Sequence, residues 1–184
     1  MMAAVESRQG GRHDAADFRN PLRSGSGPRL QSKLPSMIET LREMKQFTIF
    51  LKALAAVGMI ELLEKTEDCT VFAPTDEAFG KLPPEKLEDL MKEENKESLG
   101  LLLSYHISPF PMQVSEVAKV KGRYAVLRTG VPGAYVTVDA RGAKLKVNKA
   151  TITSSDIVTS NGYLQVIDAV LDQKDPYPET RGCR

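Results

Sequence analysis

The chain has 184 residues, of which 41% are hydrophobic, enough for one domain with a substantial core and too few for two domains plus a tail. Lys and Arg number 25 against 24 Asp and Glu, so the net charge of +1 excludes an overall attraction to nucleic acid or to a membrane surface. The two cysteines form neither a disulfide framework nor a metal-ligand pattern, and no apolar run reaches the ~18 residues of a membrane span.

The first 35 residues are rich in Gly, Ser and Pro and contain few apolar side chains. Such a composition buries too little apolar surface to offset the entropy lost on ordering. It predicts a disordered tail over residues 1–35, one domain over residues 36–172, and a short C-terminal tail over residues 173–184. The N-terminus also lacks the apolar core of a secretory signal peptide.

The domain is predicted to begin with helices. Ser36 and Glu39 have the spacing of a capping box, in which each side chain accepts a hydrogen bond from the other residue's backbone amide. After this first helix, a second helix that ends at Gly58 is predicted by apolar residues at three- and four-residue spacing, namely Phe47, Phe50, Leu51, Leu54 and Val57. A short third helix with Ile60, Leu62 and Leu63 follows Gly58.

The stretch "TVFAPTDEAF" reads as a strand followed directly by a helix. Thr70 to Ala73 is the predicted strand, which Pro74 ends, and Thr75 occupies the N-cap position of the next helix. Asp76 and Glu77 then lie in the first turn, where the helix dipole favours carboxylates. Cys69, just before the strand, is expected to be a small buried hydrophobic side chain.

Two further helices are predicted, from Pro83 to about Met91 and from Asn95 to Ser104. After Pro111 the pattern is that of β-strands, with "ARGA" as a hairpin loop and Asn161-Gly162 as a tight turn. The predicted fold is α+β, with helices first and an antiparallel sheet afterwards. In "AYVTVDARGAKLKVNKATIT", apolar and polar side chains alternate along the strands. This alternation places one set of side chains in the core (Val136, Val138, Leu145, Val147) and the other in solvent (Tyr135, Thr137, Lys144, Lys146).

Three segments in this order resemble the fasciclin domain: "FTIFLKALAAVGMIELLEKTEDCTVFAPTDEAF", "LLLSYHI" and "NKATITSSDIVTSNGYLQVIDAVL". The resemblance covers about Ser36 to Leu171 and implies a twisted antiparallel β-wedge or sandwich with helices packed alongside. It also implies a secreted or surface-attached adhesion module. The expected function is therefore a non-enzymatic binding module in cell adhesion or in matrix and cell-surface interaction. The sequence itself shows no signal peptide, so a cytoplasmic location stays open beside the extracellular one, as does the oligomeric state.

Catalysis is disfavoured because a Ser, Thr or Cys nucleophile needs a nearby base, and the chain has only His13 and His106. His13 lies in the predicted tail. His106 is expected to be a hydrogen-bonded histidine in a buried strand, next to Tyr105. No motif for a metal, a phosphate or another cofactor is present, so neither an enzyme nor a cofactor is expected.

In animal members of the resembled family, a Tyr-His pair and an Asp-Ile pair have been proposed as integrin contacts, and the matching positions here are Tyr105, His106, Asp156 and Ile157. An exposed Asp156 would suit a partner protein that binds through its own metal ion. The alternative is that Asp156 caps a turn and Ile157 belongs to the core.

Some photosynthetic relatives in the family hold carotenoids, which makes carriage of a carotenoid or lipid the alternative function. The expected groove between helices and sheet is lined by Phe50, Leu54, Met59 and Met112. The competing interpretation is that these side chains form ordinary core.

The charge is unevenly distributed. Eight Lys or Arg lie between Lys119 and Lys149 against Asp139 alone, whereas acidic residues dominate between Glu85 and Glu97. A solvated face that protects an exposed strand is one explanation, and binding to an acidic polysaccharide or anionic surface is the other. Nucleic acid is a less suitable partner because only Tyr124 and Tyr135 are available for stacking. The predicted polyanion-binding residues are Arg141, Lys144, Lys146 and Lys149.

Overall fold

The structure is a computed structural model that describes residues 34–119 and 124–172. Most of both predicted tails, with His13 and Cys183, lies outside the described residues. The described helices are α1 (Met37–Glu43), α2 (Thr48–Ala56), α3 (Met59–Lys65), α4 (Asp76–Gly80), α5 (Pro84–Leu90), α6 (Lys96–Tyr105) and α7 (Val114–Ala118), with one 3-10 turn at Glu93–Asn95. None of them is long and apolar enough to cross a membrane.

Seven strands form one mixed sheet in the order β2-β1-β7-β6-β5-β4-β3. The α+β class is confirmed, with helices mainly in the N-terminal half. One pairing differs from the antiparallel expectation: β1 pairs with β7 in parallel, and the other pairings are antiparallel. The strands are β1 (Cys69–Pro74), β2 (Ile107–Ser108), β3 (Tyr124–Arg128), β4 (Tyr135–Asp139), β5 (Lys146–Val147), β6 (Ala150–Thr159) and β7 (Gly162–Ile167).

The predicted helix boundaries follow from local chemistry. The capping box of α1 is complete, because the Ser36 hydroxyl accepts from the Glu39 amide and the Glu39 carboxylate accepts from the Ser36 amide. Gly58 separates α2 from α3 and has a φ of 70°, a conformation that glycine adopts without strain. Each predicted boundary depends on contacts within three or four residues, which is why the sequence reveals it.

The joint between β1 and α4 is structural. The Thr75 hydroxyl accepts from the Ala78 amide as the N-cap of α4. Asp76 also caps a second helix, since its carboxylate accepts hydrogen bonds from the backbone amides of Thr48 and Ile49 at 3.2 and 2.8 Å and from the Thr48 hydroxyl at 2.8 Å. One turn therefore fixes the start of α4 and the start of α2.

The sheet separates two clusters of buried side chains. Side chains on one face of β1 and β7, such as Val71 and Leu164, pack with α1, α2, α3 and α6 in the first core. Phe72 and Ile167, on the other face, pack with β3, β4 and α7 in the second core. The central strands thus contribute to both cores, which explains why every residue of β1 is buried.

Two details of the β half differ from the sequence prediction. The chain after Pro111 first forms the helix α7, because Asp156, distant in sequence, caps its N-terminus. Thr137 was expected in solvent but is 1% exposed, although Val126, its register partner on β3, is 42% exposed.

The predicted Asn161-Gly162 turn between β6 and β7 lies one residue earlier: Thr159 pairs with Gly162, so Ser160 and Asn161 form the turn and Gly162 begins β7. Gly162 has a positive φ of 149°, and a Cβ there would lie 1.9 Å from the Cys69 carbonyl oxygen. The buried Asn161 side chain accepts from the Met37 amide and donates to the carbonyls of Leu63 and Thr66, so it ties α1 and α3 to the hairpin. Cys69 is fully buried, as expected, and burial raises the pKa of its thiol to about 11.

Candidate functional site

His106 is enclosed in the fold and lies at the C-terminal cap of α6, not in the strand that was expected. Its ring is 1% exposed. Nδ1 lies 2.8 Å from the Leu102 carbonyl oxygen, and Nε2 accepts a hydrogen bond from the Leu171 amide at 2.9 Å. Because a carbonyl only accepts and an amide N–H only donates, the proton is on Nδ1. Both ring nitrogens are occupied, so His106 has none free to act as a base.

Burial also determines the charge of His106. Desolvation lowers the pKa of the imidazole from its ordinary value of 6.5 to about 4, although the hydrogen bond to Leu102 opposes this shift. The ring is therefore neutral near pH 7. The Phe50 ring packs beside it, with the two ring centroids 6.3 Å apart.

Tyr105 is similarly internal, with 4% of its side chain exposed. Its hydroxyl donates to the Tyr135 carbonyl oxygen at 2.9 Å and accepts from the Asn148 side-chain amide at 3.1 Å. These bonds connect the end of α6 to β4 and to the β5–β6 turn. The Tyr-His pair thus joins helices and sheet beneath the surface.

Asp156 is partly buried and binds backbone groups of its own chain. Its φ of 57° is left-handed, and its two carboxylate oxygens accept from the amides of Val114 and Ser115 at 2.7 and 2.9 Å. Gln165 donates a third bond, at 2.9 Å. Burial by itself would raise the pKa of Asp156, but the hydrogen bonds from Ser115, Gln165 and Val114 outweigh it and lower the pKa below its ordinary value. The carboxylate is thus the N-terminal cap of α7.

Ile157 is half-buried and packs against the first core, paired with Leu164 of β7. The structure gives all four predicted partner-contact positions a role in holding the fold. It does not join them into one exposed surface, because Tyr105 and His106 are buried while Asp156 is bonded to α7.

The four predicted polyanion-binding residues behave differently. Arg141, Lys144, Lys146 and Lys149 are all exposed, on or next to the turns that flank β5. Lys146 pairs in register with Asp139 of β4. We call these four residues the basic face; Lys121 and Arg123, also counted in the charge pattern, lie outside the described residues.

Arg141 is the most constrained member of the basic face. Its guanidinium donates two hydrogen bonds to the Asp139 carboxylate, at 2.9 and 2.7 Å, and lies 5.4 Å from the Tyr124 ring centroid. Arg141 lowers the pKa of Asp139 below its ordinary value, chiefly through its hydrogen bonds, and Lys146 adds to the effect. Among the described residues, neither Lys144 nor Lys146 has a salt-bridge partner within 4.0 Å. The two lysines therefore supply accessible charge.

Sequence reasoning considered the two tyrosines of this segment only for stacking on nucleic acid and did not place them beside the basic face. Tyr124 and Tyr135 are 41% and 42% exposed, and Arg128 pairs in register with Tyr135 across β3 and β4. Alternation in "YAVLR" already indicates that Tyr124, Val126 and Arg128 share one side of a strand. Only the register between β3 and β4 places Tyr135 beside them.

The predicted apolar groove is not lined as expected. Phe50 and Leu54 are fully buried in the first core, and Met112 packs against the second core. Met59 does line an open groove of about 520 Å³ between α2, α3 and α6, next to the exposed Leu62 and Leu101. In the part of the chain that the structure describes, no group of three or more His, Cys, Asp or Glu side chains is arranged to hold a metal ion.

Comparison with known proteins identifies the family. The family model "Fasciclin domain" matches residues 45–173, most of the chain. The chain belongs to the fasciclin family. Helix α1 of this fasciclin domain precedes the matched range, yet its Met37, Ile38 and Leu41 are fully buried in the first core. The domain start at residue 36 stays a prediction.

Relatives of this fasciclin domain occur in bacteria and animals. Protein sll1483 of Synechocystis is 35% identical over 136 residues, which cover 74% of this chain and 72% of the relative. Human periostin is 30% identical over 147 residues, 76% of this chain but only 16% of periostin. A solved structure, the FAS1 domain pair from the insect cell adhesion molecule fasciclin I, matches with a TM-score of 0.52 at 20% identity, covering 74% of this chain and 46% of that one. That likeness supports the fold.

Proposed function

We propose that this fasciclin domain is a non-enzymatic binding module that acts in adhesion outside the cell, by holding an acidic polysaccharide or an anionic surface on its basic face. The observation that carries the proposal is the exposure of Lys144 and Lys146 next to β5, where neither lysine has a salt-bridge partner among the described residues and the neighbouring Asp139 carboxylate is bound by Arg141. Exposed, unpaired cations attract a polyanion without the need for a deep pocket.

The contacts of the other candidate residues support the same choice. Tyr105 and His106 are inside the fold, and Asp156 uses both carboxylate oxygens on the N-terminus of α7. A carboxylate that accepts three internal hydrogen bonds is a poor ligand for a partner's metal ion, because binding would leave backbone amides unsatisfied. We therefore assign these residues, with Ile157, to the fold and place the partner on the basic face.

The adhesive role is supported by the family. The matched solved structure comes from fasciclin I, which its description calls a cell adhesion molecule. Adhesion modules work at cell surfaces and in the matrix, where acidic polysaccharides are partners of suitable charge. We propose the same setting for this chain.

The test is retention on a heparin-type column as salt is raised. The double variant Lys144→Glu with Lys146→Glu should elute at clearly lower salt than the wild type, because it reverses two exposed charges on the basic face. The matched control is Lys45→Glu with Lys52→Glu, which makes the same change in net charge at exposed positions on the helical side. Equal elution of the two double variants would show that net charge alone governs retention and would contradict the proposal.

Carriage of an apolar ligand is the second candidate, favoured by the open groove beside Met59, Leu62 and Leu101. A carotenoid gives the purified protein a visible absorption band, and a lipid is recovered by organic extraction followed by mass spectrometry. We expect neither, since the groove is open to solvent along α6. A stoichiometric ligand would make carriage the better assignment.

A further inference from the structure

Strand β3 lies at one end of the sheet, and its outer edge carries backbone groups without partners among the described residues. In an antiparallel pair, residue pairs that exchange backbone hydrogen bonds alternate with pairs whose backbone groups point away. The Thr129 amide donates to Ala134 at 3.0 Å, just beyond the Arg128–Tyr135 pair. The backbone groups of Arg128, and of Val126 and Tyr124 in the same alternation, therefore point away from β4.

The inner neighbour confirms this alternation. Thr137 pairs with Val126, and its own amide and carbonyl are bonded to Asn148, on the side of β4 away from β3. The Tyr135 carbonyl likewise accepts from Tyr105 on that side. The outer edge of β3 is thus a row of three N–H and three C=O groups without backbone partners among the described residues. This free edge ends at Arg128, because the next outward amide, that of Gly130, donates to the carbonyls of Ser104 and Ile107.

The side chains along this edge are complementary to those of a second, antiparallel copy of the same strand. Tyr124, Val126 and Arg128 project from the same face of β3, and Tyr124 and Val126 are 41% and 42% exposed. If the strand meets a copy of itself in antiparallel orientation, centred on Val126, each Tyr124 lies opposite an Arg128 and the two Val126 side chains meet at the centre. Tyrosine and arginine form a favourable cation–π pair, and apolar side chains meet at the twofold axis. Arg141 of the same chain already lies 5.4 Å from the Tyr124 ring centroid, so Arg128 of the second copy would meet the other face of that ring.

We propose that β3 is a self-association edge, where two copies of this chain pair their β3 strands antiparallel about a twofold axis at Val126 and join their sheets into one. This register uses all outward backbone groups of the strand, with Val126 bonded to Val126 of the second copy. A shift by two residues would lose one of the three paired positions. The occupant is a second copy because the edge matches its own reverse in backbone bonding, in the apolar contact at Val126 and in the pairing of Tyr124 with Arg128.

The contact is small. A five-residue strand buries less surface than the ~1,600 Å² typical of stable complexes, so the association is weak and depends on concentration. High local density on a surface or in a matrix would favour it. The proposal does not rest on polyanion binding, since Lys144 and Lys146 lie on the other side of β4; only Arg141 of the basic face reaches β3, at the Tyr124 ring.

The first experiment is sedimentation equilibrium from low micromolar to millimolar concentration. The wild-type average mass should rise toward that of a dimer, and Val126→Lys should stay monomeric, because it places two like charges opposite each other at the axis. The matched control Val158→Lys changes an exposed valine of β6, an interior strand, and should associate like the wild type. A wild type that stays monomeric throughout would leave the edge to some other occupant and overturn the proposal, as would a Val126→Lys variant that associates normally.

The second experiment tests the register and does not depend on that variant. Hydrogen-bonded partners in an antiparallel pair have Cα atoms roughly 5.5 Å apart, a separation that suits a disulfide. In a Cys183→Ser background, Val126→Cys should form a cross-linked dimer under mild oxidation, whereas Arg128→Cys alone should not, since its partner is Tyr124. Arg128→Cys mixed with Tyr124→Cys should cross-link. Equal cross-linking of Val126→Cys and Arg128→Cys would overturn the proposed register.

Discussion

His106 illustrates how burial decides the role of a single residue. The ring is fully enclosed, its Nδ1 proton is donated to Leu102, and its Nε2 lone pair receives the Leu171 amide. A second proton on Nε2 would remove that acceptor and place a charge in the core. The neutral form is thus required for the contact between the end of α6 and the segment after β7.

The stability of the protein should therefore depend on pH below neutrality. The folded pKa of His106 is about 4 and its ordinary value is 6.5, so the unfolded chain binds a proton first as the pH falls. The contribution of His106 is complete above pH 6.5. It is lost progressively as the pH falls toward 4, up to about 3 kcal/mol.

Urea unfolding at a series of pH values measures this dependence. The control is His106→Gln, which removes the titrating group and should flatten the free energy of unfolding across that window, although it is less stable at pH 7. The carboxylates that hold depressed pKa values, such as Asp156, lose their contribution only at more acidic pH. A wild-type slope that persists in His106→Gln would show that another group causes it.

Asp156 provides a second prediction at the residue scale. Asp156→Asn replaces one acceptor oxygen by a donor and removes a negative charge at the start of α7, so it should cost about 1–2 kcal/mol. Hydrogen exchange should quicken in Val114–Ala118. The control Glu64→Gln neutralises an exposed acid on α3, away from α7, and should leave exchange in α7 unchanged. Binding to a partner, normalised to folded protein, should not change; its loss at full stability would return Asp156 to the surface-contact role.

At the scale of elements, the β1–α4 joint links two helices. Thr75→Ala should cost about 1 kcal/mol through the lost cap of α4. Asp76→Ala should cost more, because the Asp76 carboxylate also holds the first amides of α2. Glu77→Ala, an exposed acid one position further, is the control and should cost about 0.5 kcal/mol or less. Thermal melts rank the three variants, and an Asp76→Ala variant as stable as Glu77→Ala would contradict the double cap.

The same joint shows what the sequence reveals and what it conceals. Thr75 is recognisable as a cap because its partner is three residues away, and the Ser36 box and Gly58 are recognisable for the same reason. The bond from Asp76 to Thr48, the cap that Asp156 gives to α7 and the links of Asn161 to α1 all join residues distant in the chain. Local pattern carries no record of such contacts, so they were not predicted.

The candidate site also combines features that local sequence predicts with features that depend on distant contacts. Exposure of Lys144 and Lys146 follows from strand alternation, which is local. The burial of Thr137 runs against that alternation, and the parallel pairing of β1 with β7 depends on where the two ends of the domain meet. The order of helix and strand patterns indicated the α+β class, and the resemblance to the fasciclin domain agreed with it, but the roles of individual residues needed the register.

At the scale of the whole molecule, the two cores share the strands β1 and β7. Val71 and Leu164 face one core while Phe72 and Ile167 face the other. The β1–β7 pairing joins residues near the start of the domain to residues near its end. Separating these strands exposes both cores to solvent. Neither core can therefore unfold alone, because its unfolding would remove strands that pack against the other core.

The protein should therefore unfold as a single cooperative unit. Leu54→Ala in the first core and Val138→Ala in the second should each cost about 2–4 kcal/mol, because both side chains are fully buried and leave cavities. Leu62→Ala, at a 60% exposed position, is the control and should have little effect. In calorimetry each core variant should show one transition at a lower temperature, with calorimetric and van't Hoff enthalpies equal, because the shared strands couple the cores. If Val138→Ala instead melted in two steps, with the helical half surviving the first, the cores would be independent and the coupling through β1 and β7 would be wrong.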